Sequence, residues 1–133
     1  MIPDFNEHGY LPAGIHRATL EEVAQRFGHQ SEPRRVQMES LRWLCDLARQ
    51  AGLRRLIING SFVTDTYEPN DVDCVLLIEP APRKNVEAEE EMLRGLPFLE
   101  IHLVEQDDFD FLTGMTFSTD RRLVPKGMVE VLL

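Results

Sequence analysis

Residues 55–78 read RLIINGSFVTDTYEPNDVDCVLLI, and this stretch decides the fold. Its two apolar runs, 56–58 and 74–78, flank a turn-rich connection. Short apolar runs bounded by turn residues are typical of strands that are buried on both faces of a sheet. Two consecutive strands without a crossover helix between them often pair antiparallel. The stretch therefore predicts two neighbouring buried strands, and Pro80 and Pro82 end the second one.

The sequence before this stretch predicts two helices. A capping box at residues 19–22 opens the first helix, which ends at Gly28. The second helix is longer, beginning at Ser31 and ending at Gly52. Its apolar stripe predicts a buried face, and Arg34 is one of several arginines expected to lie off that stripe.

The remaining segments complete an α+β fold with a mixed β-sheet and helices packed on it. Residues 1–18 are broken by Gly and Pro, and we expect them to form an N-terminal arm that packs on the domain. Downstream patterns predict a polar helix at 85–94, a strand at 98–104, a short helix or loop at 107–112 and a final strand at 128–133. The whole chain, 1–133, is expected to form a single domain.

Composition limits the classes of partner. The net charge of −9 over 133 residues makes nonspecific nucleic-acid binding unfavourable, because such binding depends on Lys and Arg. Cys45 and Cys74 each lie in an apolar segment, which favours two buried free thiols. The chain has no apolar run of the ~20 residues that a membrane span needs and no signal pattern, so a cytoplasmic protein is expected.

The chemistry of the chain is concentrated at Asp71 and Asp73. Two carboxylates two residues apart on a strand project from the same face and can share one divalent cation. Oxygen ligands of this kind suit Mg²⁺ or Mn²⁺. The alternative is that Asp71 belongs to a turn and Asp73 caps or pairs locally.

Asn59-Gly60-Ser61, nine residues and then Asp71-Val72-Asp73 resemble the motif of the nucleotidyltransferase superfamily, whose palm domain is like that of DNA polymerase β. The match covers roughly residues 40–105 and implies a minimal palm of that kind. It also implies that Gly60 and Ser61 bind nucleotide phosphates. In the same way, it implies that Asp71 and Asp73 are catalytic and hold the metal.

The resemblance implies a third carboxylate on the next strand of the palm. Glu100 stands in the expected place as a catalytic metal ligand, and His102 on the same strand face is the alternative. The chain departs from the pattern at Phe62, where many active members carry a basic residue. Missing positive charge could come from Lys126 and its neighbouring arginines if the C-terminal segment folds back, or those residues could simply be solvated.

The implied activity is the transfer of a nucleoside monophosphate from an NTP, with ATP the first candidate, to a hydroxyl of a protein or small molecule. Mg²⁺ or Mn²⁺ would be the cofactor. The whole chain also resembles small uncharacterised bacterial members of the superfamily, which begin with an arm like residues 3–16 and end in a segment like 126–128. Small relatives serve as antitoxins, so a protein partner in a toxin–antitoxin pair is a reasonable extension. The alternative is a catalytically inactive module that binds a nucleotide or protein.

Overall fold

Four α-helices and five β-strands make up the part of the chain that the computed structural model describes, residues 1–80 and 85–133. Pro82, predicted to help end a strand, lies outside the described residues. In chain order the elements are β1 (Ile15–Ala18), α1 (Leu20–Phe27), α2 (Glu32–Ala51), β2 (Arg55–Asn59), a 3₁₀ turn (Ser61–Val63), β3 (Val72–Leu77), α3 (Val86–Arg94), β4 (Leu99–Val104), α4 (Gln106–Phe111), a π-helical turn (Leu112–Thr116) and β5 (Met128–Leu132).

The strands form one mixed sheet in the order β1-β5-β2-β3-β4. The quoted stretch supplies β2 and β3, which pair antiparallel as predicted. β2 also pairs antiparallel with β5, whereas β1–β5 and β3–β4 are parallel. β3 and β4 can be parallel because α3 carries the chain back between them. The predicted α+β class and mixed sheet are therefore confirmed.

Helices α1, α2 and α3 cover one face of the sheet. Thr19 caps α1 through a capping box with Glu22, and Ser31 caps α2, so both predicted helix starts are confirmed. The main core lies between these helices and the strand side chains on this face, among them Leu44, Ile58 and Leu76, which are fully buried. Most of the apolar area of the fold is removed from water here, which makes this layer the main source of stability.

The opposite face of the sheet is covered only in part. Phe109 of α4 packs against Ile57, Val75 and Met128 in a second, smaller apolar cluster. This cluster lies on the part of the face away from the start of β3. At the start of β3 on this face, Asp73 is half-buried.

The N-terminal arm packs on the domain as predicted, but one expectation about it was wrong. Leu11 is fully buried and Tyr10 forms an isolated antiparallel bridge with Thr64. The last four residues of the predicted irregular arm form β1, an edge strand parallel to β5. The first element is therefore a strand, which the local pattern did not indicate because its pairing partner lies more than a hundred residues away.

Arg34 was expected to lie off the apolar stripe of α2, and this was wrong, because only 3% of it is exposed. Its guanidinium donates five hydrogen bonds, all to backbone carbonyls: one to Phe27, one to Phe62, one to Thr64 and two to Thr66. These bonds satisfy carbonyls that the irregular segment after β2 could not pair within itself. Arg34 thereby fixes the loop between β2 and β3.

The cysteines and the helices bear on two expectations from the sequence. Cys45 and Cys74 are both buried free thiols, as predicted. Within residues 1–80 and 85–133, no helix combines the length and apolarity that a membrane crossing requires.

Replacing Arg34 by Met should lower the free energy of unfolding by about 3–5 kcal/mol, because several buried carbonyls lose a charged donor at once. Urea unfolding followed by circular dichroism measures the change. The matched control is Arg35→Met, since Arg35 is exposed and donates one hydrogen bond to Glu32 at 3.0 Å and one to the His29 carbonyl at 3.1 Å, both at the surface. The control should cost less than about 0.5 kcal/mol. Equal losses in the two variants would contradict the role given to Arg34.

Candidate functional site

Three polar side chains form a row across the sheet where β3 begins. Asp73 is the register partner of Asn59 on β2 and of Glu100 on β4. The row lies on the sheet face opposite α2, because its neighbours Ile58 and Cys74, which alternate with it, belong to the main core. The pairing thus brings two of the predicted site residues, Asp73 and Glu100, side by side.

The carboxyl group of Asp73 is strongly perturbed. Its burial raises its pKa to about 7, and the adjacent Glu100 carboxyl, with Asp71, adds to the rise. Lys126 acts in the opposite direction and lowers this pKa. Two carboxyls so close cannot both be ionised without cost, so a proton or a cation must lie between them.

Asp71 does not join this pair. It is exposed and precedes β3, whose pairing with β4 begins at Val72. Among the described residues, no group of three His, Cys, Asp or Glu side chains is spaced to hold a metal ion. The structure therefore brings Asp73 and Glu100 together, while Asp71 acts on Asp73 through its charge.

The donor atoms present fit a hard divalent cation. Asn59 is 1% exposed, and its Oδ1 has no hydrogen-bond partner in the described chain. Its amide nitrogen lies 3.4 Å from the backbone oxygen of Asp73. An unsatisfied amide oxygen in the same row as two carboxylates would give Mg²⁺ the oxygen donors that it accepts, with water or ligand oxygens at the other positions.

Gly60 permits the close approach of the loop to Asp73. Its φ of +85° lies in the left-handed region, and a Cβ built at this position would overlap the Asp73 carboxylate. Only glycine meets both requirements. The glycine of the motif thus has a steric reason to stand beside the aspartate, which sequence spacing alone could not supply.

Ser61 starts the 3₁₀ turn next to this contact. Its carbonyl accepts hydrogen bonds from the N–H and the hydroxyl of Thr64, at 3.2 and 2.7 Å. Its own hydroxyl makes no hydrogen bond to the described residues, and the residue is half-buried. Ser61 is thus held in place through its backbone while its side chain keeps its donor capacity.

Phe62 occupies a core position. It is fully buried, its ring lies 5.9 Å from that of Phe27, and the Arg34 guanidinium lies 5.4 Å from its centroid. Any basic residue at this position would have to enter the core. The loop therefore supplies no positively charged side chain at this position, where many members of the nucleotidyltransferase superfamily carry one.

His102 lies two residues further along β4 than Glu100. Its Nε2 is 3.7 Å from Glu100 Oε1, too far for a hydrogen bond, and its ring packs 5.7 Å from that of Phe117. His102 is the register partner of Val75, not of Asp73. Of the two alternatives for the third site residue, Glu100 is the one placed directly beside Asp73.

Sequence reasoning gave no role to Asn59 or Tyr10. Asn59 directly precedes Gly60 in the quoted motif, so its position could have suggested that it reaches the site. Tyr10 gave no such indication, because its hydroxyl meets Asp120 across 110 residues of sequence.

Comparison with known proteins identifies the family of the chain. Residues 3–132 match the model of a family of unknown function, DUF6932, and the chain therefore belongs to that family. No curated protein and no solved structure matches the chain.

Replacing Asp73 by Asn should change how stability depends on pH. The raised pKa of Asp73 means that the folded protein keeps a proton that the unfolded chain releases, so the contribution of Asp73 to wild-type stability falls as the pH rises from about 4 to about 7. Asp73→Asn removes this loss and should be more stable than wild type above pH 7. The difference should be on the order of 1–2 kcal/mol, since the site is partly open to solvent.

Chemical unfolding at a series of pH values without divalent ions measures this difference. Glu87→Gln, an exposed change on α3, is the control and should follow the wild-type curve. A stability difference between wild type and Asp73→Asn that does not change with pH would contradict the carboxyl pair.

Replacing Gly60 by Ala should be more costly than replacing Gly95 by Ala. Both glycines have φ near +90°, but a Cβ at Gly95 meets no atom within 4 Å, whereas one at Gly60 meets Asp73. The shared backbone strain is worth about 1 kcal/mol, and the collision adds to it only at Gly60. Thermal unfolding of the two variants isolates the collision, and equal costs would show that Asp73 does not lie against the loop.

Proposed function

We propose that this member of DUF6932 is a nucleotidyltransferase-like protein that binds an NTP, with ATP the first candidate, together with Mg²⁺ or Mn²⁺. The observation that carries the proposal is the pair of adjacent carboxyls of Asp73 and Glu100 beside Gly60 and Ser61. In the proposed reaction, a nucleoside monophosphate passes to a hydroxyl of a protein or a small molecule. The motif spacing and the mixed sheet support the assignment.

Each residue has a proposed role in the transfer. The acceptor oxygen forms a bond to the α-phosphorus, the bond from that phosphorus to the β-phosphate oxygen breaks, and pyrophosphate leaves with the electron pair. The hydroxyl proton passes to Glu100. Asp73 and Glu100, with the Asn59 amide oxygen, would hold the divalent cation, which would supply positive charge to the transferring and leaving phosphates. Ser61 donates its free hydroxyl to a phosphate oxygen, and Asp71 adds negative charge that favours the cation.

The acceptor is proposed to reside on a partner protein. The net charge of the chain, −9, favours docking to a basic partner. A cytoplasmic toxin–antitoxin pair, in which this chain modifies or binds the toxin, fits these properties.

A second candidate function is an inactive module of the same fold that binds a nucleotide or a protein without turnover. Two observations favour it. Phe62 lies in the core, where a basic residue would otherwise face the phosphates, and Asp71 stands apart from the carboxyl pair. Phosphoryl transfer depends on positioning and charge stabilisation. The missing cation at Phe62 and the separate position of Asp71 would therefore lower the rate of transfer more than the affinity for the nucleotide.

Thermal unfolding with and without MgATP tests binding. Wild type should gain several degrees at saturating MgATP, since a ligand that binds only the folded state stabilises it. Asp73→Asn should lose the gain, and Glu87→Gln, an exposed change on α3, should keep it. No shift with any NTP or divalent ion would contradict the proposal.

Incubation with ATP labelled at the α-phosphate and Mg²⁺ separates the two candidates. It is carried out with and without the protein encoded by the adjacent gene. Transfer of label to that protein, lost in Asp73→Asn, identifies the enzyme. Binding of MgATP without transfer to any tested acceptor identifies the inactive module.

A further inference from the structure

Lys126 lies near the end of the chain, at the end of the sheet that carries the candidate site. It comes two residues before β5, and β5 pairs with β2, whose last residue is Asn59. The start of β5 and the end of β2 therefore meet at the same edge of the sheet, beside the start of β3. Ile58 is the register partner of Val129, so the residues just before β5 and those just after β2 lie at the same end of the sheet.

Backbone contacts fix the position of Lys126. Its N–H donates to the carbonyl of Ser118 at 2.8 Å, and the next N–H, that of Gly127, donates to the carbonyl of Leu11 at 2.9 Å. A Cβ at Gly127 would collide with the carbonyl of Pro12, so the strand start lies directly against the N-terminal arm. The arm and the C-terminal segment are thus packed together at the site.

Tyr10 links the arm to this segment through its side chain. Its hydroxyl donates a 2.8 Å hydrogen bond to Asp120 Oδ2, and its ring centroid lies 5.9 Å from the Lys126 ammonium nitrogen. Asp120 also accepts hydrogen bonds from the N–H groups of Arg122 and Val124, which close the turn before Lys126. One side chain of the arm therefore contacts both the turn and the lysine.

Lys126 has no ion pair within 4 Å among residues 1–80 and 85–133, although it is only half exposed. Among the described residues its ammonium group lies near the Tyr10 ring and not against a carboxylate, so its N–H donors are available for an anion. Lys126 thus offers a positive charge that the loop does not supply, because Phe62 lies in the core.

We propose that Lys126 binds a phosphate of the ligand held beside Asp73, and that Tyr10 holds Lys126 in position for this contact. The inference rests on the proposed function and names the residue that replaces the missing cation of the loop. Lys126 is the phosphate-binding residue in this account, and Tyr10 is a positioning residue. The two terminal segments thereby become part of the site and not only of its support.

Titration calorimetry of wild type and Lys126→Gln tests the inference with two ligands. MgATP should bind the variant about 10-fold more weakly or worse, because a charge-assisted contact is lost. Mn²⁺ alone should bind the variant as tightly as wild type, or more tightly, because a positive charge near the carboxyls has been removed. A merely structural defect would weaken both ligands. Arg121→Gln, an exposed change in the same segment, is the control and should leave both affinities unchanged.

Tyr10→Phe gives a second measurement. It keeps the ring near Lys126 and removes the hydrogen bond to Asp120, so it should weaken MgATP about 2- to 5-fold without affecting Mn²⁺. Unchanged MgATP affinity in Lys126→Gln, with binding still abolished in Asp73→Asn, would overturn the role of Lys126 and leave the proposed function standing. Failure of wild type to bind either ligand would overturn both.

Discussion

Two carboxyl groups side by side repel each other unless a proton or a cation lies between them, and the site depends on this constraint. The register of β3 and β4 places Asp73 and Glu100 in that arrangement, and Gly60, having no side chain, lets the loop lie against Asp73. Such a pair does not add to stability, since an uncharged residue at either position would remove the repulsion. The pair is therefore the strongest reason to assign a ligand to this end of the sheet.

The surrounding structure holds the pair in place from three directions. Arg34 fixes the loop that carries Ser61 by bonding to its carbonyls, and the row partner Asn59 contacts the backbone of Asp73. The arm and the C-terminal segment close the third side, where Tyr10 and Lys126 meet. Residues from the first ten positions and the last ten thus converge on a site whose motif occupies the middle of the chain.

Much of the fold could be predicted because its determinants are local. The capping box of α1, Pro and Gly at helix and strand ends, and the apolar runs of β2 and β3 each act over a few residues. β1 could not be predicted, since its pairing with β5 is parallel and distant. Arg34 was misjudged because burial of a guanidinium requires carbonyl partners that only the folded loop presents.

The site was predicted in part for a similar reason. Strand alternation placed Asp71 and Asp73 on one face, but β3 begins at Val72, so alternation does not extend to Asp71. The pairing of Asp73 with Glu100 depends on the register of β3 and β4. The resemblance to the nucleotidyltransferase motif suggested Glu100, whereas composition could not. The position of Lys126 depends on how β5 enters the sheet, between β1 and β2, and no local pattern encodes that order.

A crystal structure of the protein grown with Mn²⁺ and a non-hydrolysable ATP analogue tests the central claim most directly, because Mn²⁺ is located by its anomalous scattering. The account predicts one anomalous peak between the carboxylates of Asp73 and Glu100, with analogue phosphates beside the Ser61 hydroxyl and the Lys126 ammonium group. A well-ordered Asp73–Glu100 pair without Mn²⁺, or Mn²⁺ and the analogue bound elsewhere on the chain, would contradict it.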